Sequence, residues 1–305
     1  MHPAVSVIFF TVTSGAGLGL IFLLGLGWPM HSGMWAIFFS CLLAGGLTAA
    51  GLVSSTFHLG HPERAWRAFS QWQSSWLSRE GVLAVLTLTL FGIYTLLWAF
   101  MDMRLAWLGF IISILAALTV YATAMIYAQL KTVPNWYSAL TPLCYLTFSL
   151  ASGLILASAI GTSNSVLGLP SPILAAIALV IAWISKFIWW NRAASIGFSA
   201  TGSDTGTATG LGHLGKVKLF EKPHSGENYL TKEMVHQIGR KHANKLRVIS
   251  LVLGLAVPLV LCFLALSTGA TAILLTLGFL SMMAGLFAER WLFFAEAKHA
   301  VSLYY

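Results

Sequence analysis

Eight apolar runs, each close to the roughly 20 residues that a helix needs to cross a bilayer, divide this sequence. They cover about 4–27, 33–57, 79–101, 104–127, 139–161, 171–191, 246–268 and 270–296. No water reaches backbone N–H and C=O groups inside the bilayer, so such runs satisfy one another within helices. The expected fold class is an all-α membrane protein, a bundle of eight transmembrane helices with one long cytoplasmic loop. A chain that is 58% hydrophobic and 9% charged, with mean hydropathy +0.82, is no soluble globular domain. The start MHP lacks the basic n-region of a signal peptide, and the run from Val5 to Leu26 is too long for an h-region, so it is read as a true span.

An even number of spans puts both termini on one side, here called side A. Side A then holds the 58–78 and 128–138 connections and the long 192–245 segment. The opposite side has short turns at 28–31, 102–104, 161–170 and 267–269. Of the 17 Lys and Arg residues, only Arg104 falls on that opposite side. Basic residues accumulate on the cytoplasmic face, so side A is expected to face the cytoplasm of a bacterial inner membrane. The net charge of +8 therefore follows topology and does not imply nucleic acid.

Three parts follow in order. Residues 1–191 carry spans one to six and the connection 58–80. Residues 192–245 form a basic cytoplasmic loop. Residues 246–305 carry the last two spans and a tail. In the loop, Ser195 to Gly215 is rich in Gly, Ser and Thr without an apolar period, and reads as flexible or held only by a partner. Beyond it Leu230, Met234, Ile238 and Leu246 recur at helical spacing among Lys232, Arg240, Lys241, Lys245 and Arg247. That helix either lies on anionic lipid or docks a cytoplasmic partner.

The stretch FHLGHPERAWRAF at 57–69 concentrates His, Glu, Arg and Trp at a membrane edge. His58 ends the second apolar run and Glu80 opens the third, and an antiparallel hairpin brings those ends together. A proton donor and acceptor beside Trp66, Trp72 and Trp76 suit a lipid-soluble redox carrier such as a quinone, which needs a flat apolar slot and groups that exchange protons. The competing reading is an interfacial loop with Trp in the aromatic belt and Arg on headgroups. Trp136 and Tyr137, between Pro134 and Pro142, are expected at headgroup depth, either in the belt or as a second wall of the same slot.

Cys41, Cys144 and Cys262 lie in apolar runs with no C-x-x-C spacing, so no iron–sulfur cluster and no metal site is expected in this chain. Gly15 and Gly19 of GAGLG, and the cluster Ala44, Gly45, Gly46 with Gly51, read as close helix packing. Lys186, Glu289, Arg290 and Glu296 are placed near the cytoplasmic ends of their spans. The scarcity of ionisable groups deeper in the membrane speaks against a secondary transporter.

HLGHPERA at 58–65, Glu80 at the opening of the third span and TVPNWYS at 132–138 resemble, in order and spacing, the membrane anchor subunits of dimethyl sulfoxide reductase-type molybdoenzymes. The resemblance covers the whole chain. The extended basic 192–245 segment looks more like the membrane subunit of the cytoplasm-facing, three-subunit sulfite dehydrogenase of sulfur-oxidising bacteria. The resemblance implies an iron–sulfur partner subunit, a molybdopterin catalytic subunit and a quinone (ubiquinone or menaquinone) site here. Carried over by motif, His58 and Glu80 handle quinone chemistry. Arg64 and Arg67 hold the loop against the partner or stabilise a developing quinol anion, and Trp76, Trp136 and Tyr137 wall the ring. The family's anchor typically has no haem b. His2, His58, His61 and His299 leave a bis-His haem open but form no clear axial pair. The expected function is passage of electrons between the iron–sulfur subunit and quinone, with sulfite oxidation driving quinone reduction. The alternatives are an anchor running from quinol to substrate, as in dimethyl sulfoxide reductase, and a non-redox scaffold.

Overall fold

The computed structural model describes residues 4–29, 33–58, 61–161, 165–166, 169–221 and 242–303. Among them, eight helices are long and apolar enough to cross a membrane. These are α1 (Val5–Leu26), α2 (Met34–Ser54), α3 (Trp76–Met101), α4 (Ala106–Ala128), α5 (Leu140–Ile160), α6 (Ser171–Ser195), α7 (Ala243–Thr268) and α8 (Thr271–Ala295). The chain is an all-helical, multi-pass membrane bundle. Between α5 and α6, Ser165–Val166 and Leu169–Pro170 form a two-residue antiparallel ladder.

Helix α1 is the axis of the bundle, packed against α2, α4, α5 and α8. Its glycines explain this. A Cβ at Gly19 would collide with the Ser149 backbone of α5, and one at Gly25 with the Gly109 carbonyl of α4. Small residues thus let backbones touch where lipid offers no hydrophobic drive. Gly15 and Gly46, expected to do the same, have open space around them, and Gly45 has only Phe91 nearby. Gly51 meets the expectation, against Ser14, and Gly17, outside the expected set, packs against Thr48.

Arg104, the lone basic residue of the opposite side, donates to the Leu26 carbonyl at 3.0 Å. A cation there meets the negative end of the α1 dipole. Helix α7 widens to a π turn at Val252–Ala256 because Pro258 follows. Proline lacks an N–H, and its ring clashes with the carbonyl four residues back. That carbonyl, on Gly254, accepts instead from the Trp183 indole at 2.9 Å.

The 195–215 stretch is more ordered than its composition suggests. It carries 3-10 turns at Phe198–Thr201 and Gly212–Leu214 around a one-turn helix at Thr205–Thr209. Asp204 caps that helix by accepting from the Thr207 N–H at 2.6 Å. These hydrogen bonds hold the Asp204 carboxyl below its ordinary value. Of the expected amphipathic segment, residues 222–241 lie outside the described residues, and Lys245, Leu246 and Arg247 are described, in α7.

Candidate functional site

At side A, α2 runs into a 3-10 turn, Ser55–His58, and a second 3-10 helix follows at Pro62–Phe69. Proline at the first position suits that start, since its missing N–H has no partner there anyway. The second turn exposes Arg64, Trp66 and Arg67. Arg67 lies 5.6 Å from the Trp66 ring centre, and His61 Nδ1 is 2.9 Å from Glu63. Neither Arg64 nor Arg67 is paired with Glu80. The His58 backbone ends the first 3-10 turn, and its side chain lies outside the described residues.

Helix α3 begins at Trp76, so Ser78, Arg79 and Glu80 belong to its first turns. Arg79 folds back to donate to the Trp72 carbonyl at 3.0 Å and lies 4.5 Å from the Trp76 ring centre. Trp76 meets Tyr121 of α4 edge-on, with ring centres 5.7 Å apart. Glu80 turns inward. It is only 4% exposed and accepts a hydrogen bond from the Thr123 hydroxyl of α4. Thr123 also donates to the Thr119 carbonyl at 3.0 Å. A hydroxyl has one proton, so the Glu80 carboxyl and the Thr119 carbonyl compete for it. Among the described residues Glu80 has no cationic partner.

Trp136, in the connection between α4 and α5, faces the bundle interior. It is 2% exposed, stacks on Phe293 of α8 with ring centres 5.2 Å apart, and donates its indole N–H to the Phe293 carbonyl at 2.9 Å. The 129–139 connection is therefore a plug in the side A end of the bundle. Arg192 at the end of α6 holds it by donating to the Tyr137 carbonyl at 2.7 Å, and the Ala300 N–H donates to the Thr132 carbonyl at 2.8 Å. Tyr137 itself is partly exposed. Tyr127, one turn after Thr123, touches the Trp136 ring at 5.3 Å and so joins the Glu80 neighbourhood to the plug. The fold thus groups Glu80 and Trp76 along α3–α4 and connects them to Trp136, while Arg64 and Arg67 stay outside on the surface.

A cluster unforeseen in the sequence lies beside the plug. Lys186 of α6 pairs with Glu289 of α8, and the Arg290 Nε is 2.5 Å from the other Glu289 oxygen. All three are buried. Lys186 lies 3.9 Å from the Trp189 ring centre, and Arg290 lies 4.2 Å from that of Tyr145. The one trace in the sequence is Lys186 followed by Trp189 and Trp190 at helical spacing, a cation over aromatic faces.

Among the described residues no group of three or more His, Cys, Asp or Glu gathers as a metal site, and the three cysteines are buried and free.

Residues 1–295 match the family described as "DMSO reductase anchor subunit (DmsC)". The chain belongs to this family. A sulfite dehydrogenase subunit of Allochromatium vinosum is 33% identical over 330 aligned positions, covering 100% of this chain and 99% of that protein. The anaerobic dimethyl sulfoxide reductase protein YnfH of Escherichia coli is 30% identical over 165 positions, 50% of this chain and 56% of the relative. A second anaerobic dimethyl sulfoxide reductase component of the same organism is 29% identical over 158 positions, 49% of this chain and 54% of the relative. No solved structure matches. As a DmsC-family anchor the chain is a membrane subunit of a multi-subunit oxidoreductase. In this family member the TVPNWYS motif has a visible structural role: it inserts Trp136 into the bundle.

Proposed function

We propose that this chain anchors an iron–sulfur subunit and a molybdopterin catalytic subunit to the cytoplasmic side of the membrane and exchanges electrons between them and quinone. The carrying observation is Glu80: a buried carboxyl with no cationic partner among the described residues, in the first turns of a membrane helix, hydrogen-bonded to Thr123. An unpaired acid in a membrane segment is costly unless it handles protons or ligands. Quinone reduction consumes two protons for two electrons, and His58 at the end of the facing helix supplies a second titratable group. The 192–245 segment and both termini are cytoplasmic in this reading, and the segment forms part of the docking surface. Arg64 and Arg67 meet the partner or the quinol oxygen from the loop.

The full-length match to a sulfite dehydrogenase subunit favours sulfite oxidation coupled to quinone reduction. The half-length matches to dimethyl sulfoxide reductase components support the reverse direction as the second reading. The test is a titration of the purified complex. Substrate-reduced iron–sulfur clusters should reoxidise on addition of quinone. Clusters that stay reduced would leave this chain a scaffold.

A further inference from the structure

Behind Glu80 lies a half-open, mainly apolar chamber of about 30 Å³ with a few polar groups on its wall, bounded by α1, α4, α5 and α8. A buried water needs roughly 10–15 Å³, so the chamber has space for an oxygen atom and one or two waters, not for a ring. Thr123, the hydrogen-bond partner of Glu80, is part of its wall, as are Tyr145 and Arg290. The hydroxyls of Thr11, Ser14 and Ser152 on the same wall are used by carbonyls one turn back in their own helices. Two polar atoms there make no hydrogen bond of good geometry, the Tyr145 hydroxyl and Arg290 Nη1, and their side chains face each other. Each is on a side chain at least nine-tenths buried. Buried donors in this state mark a site that something else completes.

A second cavity adjoins the chamber and shares Leu18, Val120 and Ser149 with it. It measures about 180 Å³ and lies between α4 and α5 over α1. Its other walls include Phe22, Ala117, Leu146 and Leu150. Ser149 donates to the Gly15 carbonyl at 2.7 Å, so it brings no free donor. An apolar cavity of roughly 150 Å³ accepts a benzene ring. Leu150 is exposed and Ala117 and Leu146 are half-buried, so the cleft opens outward between α4 and α5, where the bilayer lies.

We propose that a prenylated quinone enters from the bilayer between α4 and α5, its ring in the cleft and one carbonyl oxygen in the chamber, held by Arg290 and the Tyr145 hydroxyl. The proposal rests on the quinone reading above and moves the headgroup from the membrane edge to the inside of the bundle. Thr123, Tyr145 and Arg290 each lie five residues from the side A end of their helices, a depth of about 8 Å at 1.5 Å per residue. A ring reaches that depth readily. The phosphate and ester groups of a phospholipid are too large for the chamber. Lys186, Glu289 and Arg290 together carry one excess positive charge, which favours an electron-rich oxygen and disfavours a cation. The oxygen then shares a wall with the Thr123 hydroxyl, the group that touches Glu80.

The test uses the whole purified complex with ubiquinone carrying one isoprene unit, and an azido derivative of it for photolabelling. In the native complex the label should map to 116–150 and not to 57–80. Ala117→Phe, which fills the cleft, should weaken binding about tenfold or more and remove the label. Tyr145→Phe, which keeps the ring and loses one hydrogen bond, should weaken binding about three- to tenfold. If Ala117→Phe fails to assemble, Tyr145→Phe and the label map decide alone. Native binding with label confined to 57–80, or with both variants binding like the native complex, overturns this site and leaves the quinone reading intact. No quinone binding by the native complex overturns both.

Discussion

Lys186 and Glu289 are 103 positions apart in sequence and form a buried ion pair between α6 and α8, with Arg290 on the second Glu289 oxygen. Two cations thus share one anion under a lid of Trp189 and Phe293.

The pair predicts an order of damage. Glu289→Gln leaves two buried cations without an anion and should cost about 3–5 kcal/mol. Lys186→Met leaves Glu289 and Arg290 as a neutral pair and should cost clearly less. Monodispersity of the detergent-solubilised complex during heating measures both. Equal loss in the two variants would contradict the shared-anion arrangement.

Trp136 predicts a second effect. Trp136→Ala removes the stack on Phe293 and the indole hydrogen bond, a loss of about 3–5 kcal/mol for a buried tryptophan. The 129–139 plug should then loosen, and trypsin should cut at Lys131 several times faster. Trp136→Phe, which keeps an aromatic ring in place, should be cut more slowly than Trp136→Ala.

Orientation is testable in cells. Single cysteines placed at Ser203 and Ser302 on a cysteine-free background should resist an impermeant maleimide until the cytoplasmic side is opened. Labelling of either from outside intact cells would reverse the topology.

The basic segment predicts release of the partners. Changing Lys216, Lys218 and Lys222 together to Glu should free the soluble subunits into the cytosolic fraction while this chain stays in the membrane. Retention of the subunits at both low and high salt would leave the segment on the lipid surface.

The eight spans were legible because length and apolarity alone decide a membrane helix, and their ends fall within a few residues of expectation. Glycine patterning was legible as a kind of contact but not residue by residue. Gly17 touches a neighbour and Gly15 does not, which depends on the rotation of α1. The burial of Trp136 was hidden because tryptophan near a span end suits the aromatic belt and the core equally. Only the Phe293 carbonyl, supplied by α8, decides between them. Lys186, Glu289 and Arg290 were visible as charges but not as a cluster, since helices far apart in sequence bring them together. The order in 195–215 came from a capping box that a Gly- and Thr-rich composition obscures.

Proton supply to the quinone through the Glu80 carboxyl and His58 is tested most directly by substitution. Glu80→Gln keeps the shape and the contact with Thr123, so the complex should assemble normally. Its rate with quinone should fall at least about a hundredfold, the size of a lost proton-transfer group. The rate of the same preparation with ferricyanide, which reacts at the soluble subunits, should be unchanged. His58→Ala should behave alike, and exposed Glu63→Gln should resemble the native complex. Normal quinone-coupled turnover in both the Glu80→Gln and His58→Ala complexes would contradict the account.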